Sequence, residues 1–123
     1  MHALRHVNRL LVRGGTLVDL HPVTEEHVEA GGRLIGVIAD PEYRSIDLPN
    51  AEACLQAEVQ RGLYAWEAET EFDFLQHFDD SEELLEAKRD ALAPQPDLVR
   101  RIRAATPPLI IREHVVLRRF RVC

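Results

Sequence analysis

His2-Ala3-Leu4-Arg5-His6-Val7-Asn8-Arg9-Leu10-Leu11-Val12-Arg13-Gly14-Gly15-Thr16-Leu17-Val18-Asp19-Leu20-His21-Pro22 reads as a helix, a glycine break and a strand. Leu4, Val7, Leu10 and Leu11 fall on one helical face, which predicts helix 1 over roughly residues 2–12. Gly14 or Gly15 can end it in the left-handed conformation that other residues adopt at a cost. Thr16 to Leu20 then fits a short buried strand A. Pro22 ends the strand because it has no N–H to donate.

Working outward, Val23 to Gly32 reads as a loop holding at most one helical turn. Arg33 to Ala39 is an apolar run short enough to be strand B, and Asp40-Pro41 marks a turn. Asn50 fits the N-cap of helix 2, which runs to about Arg61 with Gly62 behind it. Trp66, Ala68, Thr70, Phe72 and Phe74 alternate with Glu67, Glu69, Glu71 and Asp73. This predicts strand C, with one face in the core and four carboxylates on the other. Asp80 with Glu83 resembles a capping box and opens helix 3, whose buried stripe is Leu84, Leu85 and Leu92. Pro94 and Pro96 stop it, and helix 4 runs to about Ala105 with Leu98, Val99 and Ile102 inward. Leu109 to Val122 is strand D, with a bulge expected where its apolar phase shifts near Val115-Val116. The expected fold is therefore α+β: a small mixed sheet with helices packed mainly on one face. Strands C and D pair antiparallel, and D lies between A and C.

At 123 residues, a single domain over 1–123 is expected. The net charge of −6 is unevenly spread. Residues 40–90 carry fifteen acids against Arg44, Arg61, Lys88 and Arg89, and the rest carry six acids against eleven bases. If strands C and D pair, Arg112, Arg118, Arg119 and Arg121 face the acids of strand C, each opposed pair contributing roughly 0.2–1 kcal/mol. That accounts for the asymmetry without a nucleic-acid partner, which an acidic chain serves poorly. The sequence has no run of ~18 apolar residues to span a membrane. It also has no signal-peptide pattern, so the cytoplasm is the expected location. Cys54 and Cys123 form no disulfide framework.

The stretch up to Pro22 resembles the late helix, "LRPGG" turn and fifth strand of class I S-adenosylmethionine-dependent methyltransferases. Arg13 stands where that family has Pro before Gly-Gly. Residues 66–78 and 109–122 look like its strands six and seven, and "FLQHFDD" (Phe74 to Asp80) is similar to segments near strand six. In that fold the sheet order is 3-2-1-4-5-7-6, with strand seven antiparallel to the rest, and strands one to four make the cofactor site. No G-x-G-x-G occurs here. The resemblance therefore implies a methyltransferase-related remnant without its own cofactor site, acting as a non-enzymatic dimer or interaction module. Two alternatives are a subunit or truncated part of such a methyltransferase, and a small-molecule binding protein. No cofactor is expected, and S-adenosylmethionine would bind only if a partner or mate completes the site.

Chemistry-bearing residues are few. His2 and His6 are four apart, but Ala3 stands where a zincin has Glu and no third ligand is implied, so no metal is expected. No Ser or Cys lies in an activated nucleophile signature, and no catalytic residue is assigned. Asp19 and His21 share one side of strand A at its carboxyl end, where open α/β sheets place ligands. With Tyr64 and Trp66 they make the candidate pocket. Strand A is left with a free apolar edge, a hazard unless it is paired. A homodimer is therefore expected through the helix 1–strand A edge, at Leu4, Val7, Leu11 and Leu17.

Overall fold

The computed structural model describes residues 2–123, apart from the side chains of His2, Ala3 and Arg5. In chain order the elements are α1 (His2–Leu10), β1 (Thr16–Pro22), β2 (Glu26–Ala30) and β3 (Arg33–Ile38). A π-helical stretch (Tyr43–Asp47) leads into α2 (Leu48–Gln60). There follow β4 (Tyr64–Phe78), α3 (Ser81–Ala87), α4 (Arg89–Leu92), α5 (Pro96–Ala104) and β5 (Leu109–Val122). The strands form a five-stranded sheet of order β1-β5-β2-β3, with β4 also paired to β5. The fold is α+β and adjacent strands run antiparallel. β5 pairs with both β1 and β4, the arrangement expected for strands A, D and C. No helix of the described residues is long and apolar enough to cross a membrane.

The chain, expected as one domain, forms two compact units. The first holds the residues up to His21, Pro41–Glu71 and Val116–Cys123; the second holds Pro22–Asp40 and Phe72–Val115. In the first, Leu55, Tyr64, Phe120 and Val122 form the core, with Leu4, Leu11, Leu17, Val59 and Leu63 packed against it. Leu4, Leu11 and Leu17, expected at a dimer edge, are partly buried against this core. Tyr64 donates its hydroxyl to the Leu4 carbonyl at 2.6 Å. Burial, and then the nearby Glu58 carboxylate, push that hydroxyl above its ordinary pKa. α2 starts at Leu48, so Asn50 lies inside the helix rather than capping it.

In the second unit the expected loop from Val23 to Gly32 is largely strand. β2 and β3 form a hairpin with Ala30 opposite Arg33, turned by Gly31 and Gly32 at φ 58° and 77°. Positive φ at both central residues is what a tight hairpin turn requires. β2 pairs its other edge with β5, Val28 opposite Ile111. Its sequence hides this because Val28 is the one fully buried residue in the strand. The cap forms in part as expected: Asp80 Oδ1 accepts from Glu83 N at 2.8 Å, while Glu83 Oε2 accepts from Asp79 N, one residue before the N-cap, at 3.1 Å. The core gathers Val28, Ile38, Phe78, Leu84, Leu92, Leu98, Ile102, Leu109 and Ile111.

Strand C departs from its expected core face. Tyr64 and Phe78, at the two ends of β4, are buried. Trp66, Phe72 and Phe74 between them are exposed by 57%, 40% and 46%. Alternation shows which side chains share a face; only a covering element makes that face core. Of the expected charge pairing, Arg112 Nη1 meets Asp73 Oδ2 at 3.0 Å, and His114 Nδ1 lies 2.9 Å from Asp73 Oδ1. Arg112 Nε also donates to Glu29 at 2.8 Å. Arg118 goes elsewhere.

A Cβ on Gly36 would stand 2.2 Å from Leu98 Cδ1, and Leu98 is buried. Gly36→Val is therefore expected to lower stability by about 1–3 kcal/mol in urea unfolding. The hydrogen bonds from His114 and then Arg112 hold the Asp73 carboxyl below its ordinary pKa. A depressed folded-state pKa stabilises above the unfolded value of about 3.9 and ceases to do so as pH falls through the folded value. Wild type should exceed Asp73→Asn in thermal stability at neutral pH, with the gap closing below about pH 4.

Candidate functional site

Asp19 and His21 are two apart on β1, so both project to the face that also carries Leu17 into the core. α2 brings Glu52 to them and β5 brings Arg118, so the first unit supplies all four residues. His21 Nδ1 lies 2.9 Å from Asp19 Oδ2, and its Nε2 lies 3.1 Å from Glu52 Oε1. Arg118 donates from Nε and Nη2 to Asp19 Oδ2 at 3.1 and 2.8 Å. Its Nη1 donates to Glu52 Oε2 at 2.9 Å, and Nη2 also contacts Glu52 Oε1. The imidazole is thus held between two carboxylates, with one guanidinium bridging them.

The Arg118 side chain is 15% exposed and that of His21 16%. Burial works against the Arg118 charge, but the hydrogen bonds to Glu52 and Asp19 outweigh it and hold the guanidinium above its ordinary pKa. A planar fork suits this bridging, because it can donate to two carboxylates at once.

The cluster lines a cavity of about 270 Å³. Leu4, Leu17, Leu48, Ala51 and Leu55 form much of its wall, with Tyr43 at one side. A second cavity, of about 310 Å³, shares Glu52, Leu55 and Arg118 and is lined further by Trp66 and Phe120. The candidate pocket is therefore divided. Asp19 and His21 face the first space and Trp66 the second, while Tyr64 is excluded because it is buried in the core.

Sequence reasoning missed Glu52 and misplaced Arg118. Neither is near Asp19 in the chain, and no spacing rule links a helix to strands so distant. The charge of Arg118 was visible, but four acids on strand C offered a nearer explanation.

Asp19, His21 and Glu52 bring potential ligand atoms within 4.8 Å of one another. One imidazole and two carboxylates are donors that divalent transition ions accept. Here Arg118 already lies against both carboxylates. The other chemistry on offer is an Asp–His pair, in which Asp19 fixes the orientation of the ring and leaves Nε2 toward Glu52. The metal spacing read in His2 and His6 falls on a side chain outside the described residues. Comparison with protein-family models, characterised proteins and solved structures finds no match to this chain.

Removing the bridge should be costly. Arg118→Gln leaves two partly buried carboxylates facing each other. A loss of about 1–2 kcal/mol in urea unfolding is expected, below the buried-pair range because the Glu52 side chain is 40% exposed. Arg118→Lys should recover only part of it, since a point charge cannot bridge both partners as the fork does.

Proposed function

We propose that the chain is a non-enzymatic interaction module related to the second half of class I methyltransferases, and that it works as a homodimer joined through β1. The relation is supported by topology. β1 and β4 both pair with β5 and run against it. This is the 5-7-6 order of that fold, with strand seven reversed. The intervening β2–β3 hairpin is an addition to that plan. No cofactor is assigned to the chain itself, and S-adenosylmethionine would bind only where a mate completes the site.

One observation carries the dimer. β1 ends the strand order, with β5 as its neighbour among the described residues. Its outward side chains are Thr16, Val18 and Leu20, with Val18 57% and Leu20 56% exposed. That face carries no charge to discourage pairing, and proteins commonly blunt free edges with charge. Two copies of β1 related by a twofold axis would pair antiparallel and satisfy each other's backbone groups. The Leu4, Val7, Leu11 and Leu17 set gives way in this reading to the residues left exposed.

Light scattering at micromolar concentration should give twice the chain mass of 14.0 kDa. Thr16→Lys with Leu20→Lys should return it to one. A monomeric wild type overturns the proposal.

A further inference from the structure

We propose that the free edge of β4 within the first unit takes up an extended protein segment in which Lys or Arg alternates with apolar residues. The proposal does not rest on the β1 dimer. β4 has β5 as its one neighbour among the described residues, and its stretch from Tyr64 to Glu71 belongs to the first unit. The other border of that stretch is a row of backbone N–H and C=O groups without a ladder partner. Trp66, Ala68 and Thr70 share the face of Tyr64, and Glu67, Glu69 and Glu71 share the opposite face. Glu67 and Glu69 are exposed, and neither makes an ion pair among the described residues.

Charge decides what can pair there. Directly opposite residues of an antiparallel ladder lie on one face of the sheet. When two copies of β4 pair about a twofold axis, odd positions therefore meet odd positions in every register. The acids at 67, 69 and 71 then always face acids, and like charges directly opposite destabilise a ladder. The edge thus rejects its own copy, as charged edges commonly do. A strand with basic residues at alternate positions reverses the sign of each opposed pair. The other face receives its apolar residues. Trp66 is 57% exposed and lines the cavity of about 310 Å³ with Gln56, Val59 and Phe120. An added strand lies about 4.8 Å from β4 and sets alternate side chains on this face beside Trp66. Backbone pairing supplies affinity in such strand addition, and a pocket for alternate side chains supplies specificity.

Trp66 is the chain's one tryptophan, so its emission reports on this edge. The test titrates the whole chain with the acetylated and amidated peptide Lys-Val-Lys-Val-Lys-Val-Lys. Comparison arms are a peptide of the same composition with its lysines and valines in separate blocks, and Glu-Val-Glu-Val-Glu-Val-Glu. Saturable binding of the alternating peptide at a dissociation constant of ~10–100 μM is expected, with Trp66 emission moving to shorter wavelength as the ring leaves water. The block peptide should bind about tenfold more weakly or worse, and the acidic peptide should be silent. Glu67→Gln with Glu69→Gln should weaken the alternating peptide about tenfold. Thr16→Lys with Leu20→Lys, on the β1 edge, should leave it unchanged. The peptide arms use the unaltered chain, so the proposal stays testable if the glutamine variant fails to fold. Four results overturn it: no saturation, equal binding of the block peptide, binding that leaves Trp66 emission unmoved, or binding that survives loss of both glutamates. Binding lost in the β1 variant also overturns it and assigns the peptide to that edge.

Discussion

The pairing of β5 is the constraint on which the rest depends. This strand hydrogen-bonds to β1, β2 and β4, and it supplies buried residues to both cores. Leu109, Ile111 and Val115 are buried with odd spacing, and Val116, Phe120 and Val122 with even spacing. The buried set changes parity between Val115 and Val116. One strand can therefore line two cores. Arg118 keeps the even phase between Val116 and Phe120, and its charge is taken up by Asp19 and Glu52.

Much of this was legible because the signals were local. Strand D keeps its ends to the residue, and its phase shift falls where the pattern places it. The Asp80–Glu83 cap and the Leu98–Ile102 stripe of α5 were likewise written in short spacings. What escaped notice was set by tertiary cover. β2 has Glu26, His27, Glu29 and Ala30 around one buried valine, so no alternation advertised a strand. β4 showed faultless alternation, yet its aromatic face lies open between its ends. Periodicity fixes which side chains go together, and a neighbour in space decides whether they are buried.

The site shows the same division. Asp19 and His21 were joined by a two-residue spacing that the strand enforces. Glu52 had no such link, and Arg118 carried a competing explanation. Charge complementarity across a ladder is worth little when exposed. A guanidinium that reaches two carboxylates in a partly desolvated pocket gains more per hydrogen bond. Arg118 follows that rule with Asp19 and Glu52, and Arg112 likewise bridges two carboxylates, Asp73 and the less exposed Glu29.

β1 meets three demands in one stretch of seven residues. Leu17, Asp19 and His21 point to the helices, while Thr16, Val18 and Leu20 point away. The edge uses a third set of groups, the backbone N–H and C=O that face neither direction. A strand can thus pair with a mate, seal a core and hold a polar cluster at once, because the three demands fall on orthogonal groups. The same economy makes register strict. A slip of one residue in β1 would expose Leu17, bury Val18 and Leu20, and turn Asp19 and His21 away from Arg118. The ion-paired cluster therefore fixes the register that leaves the apolar edge available.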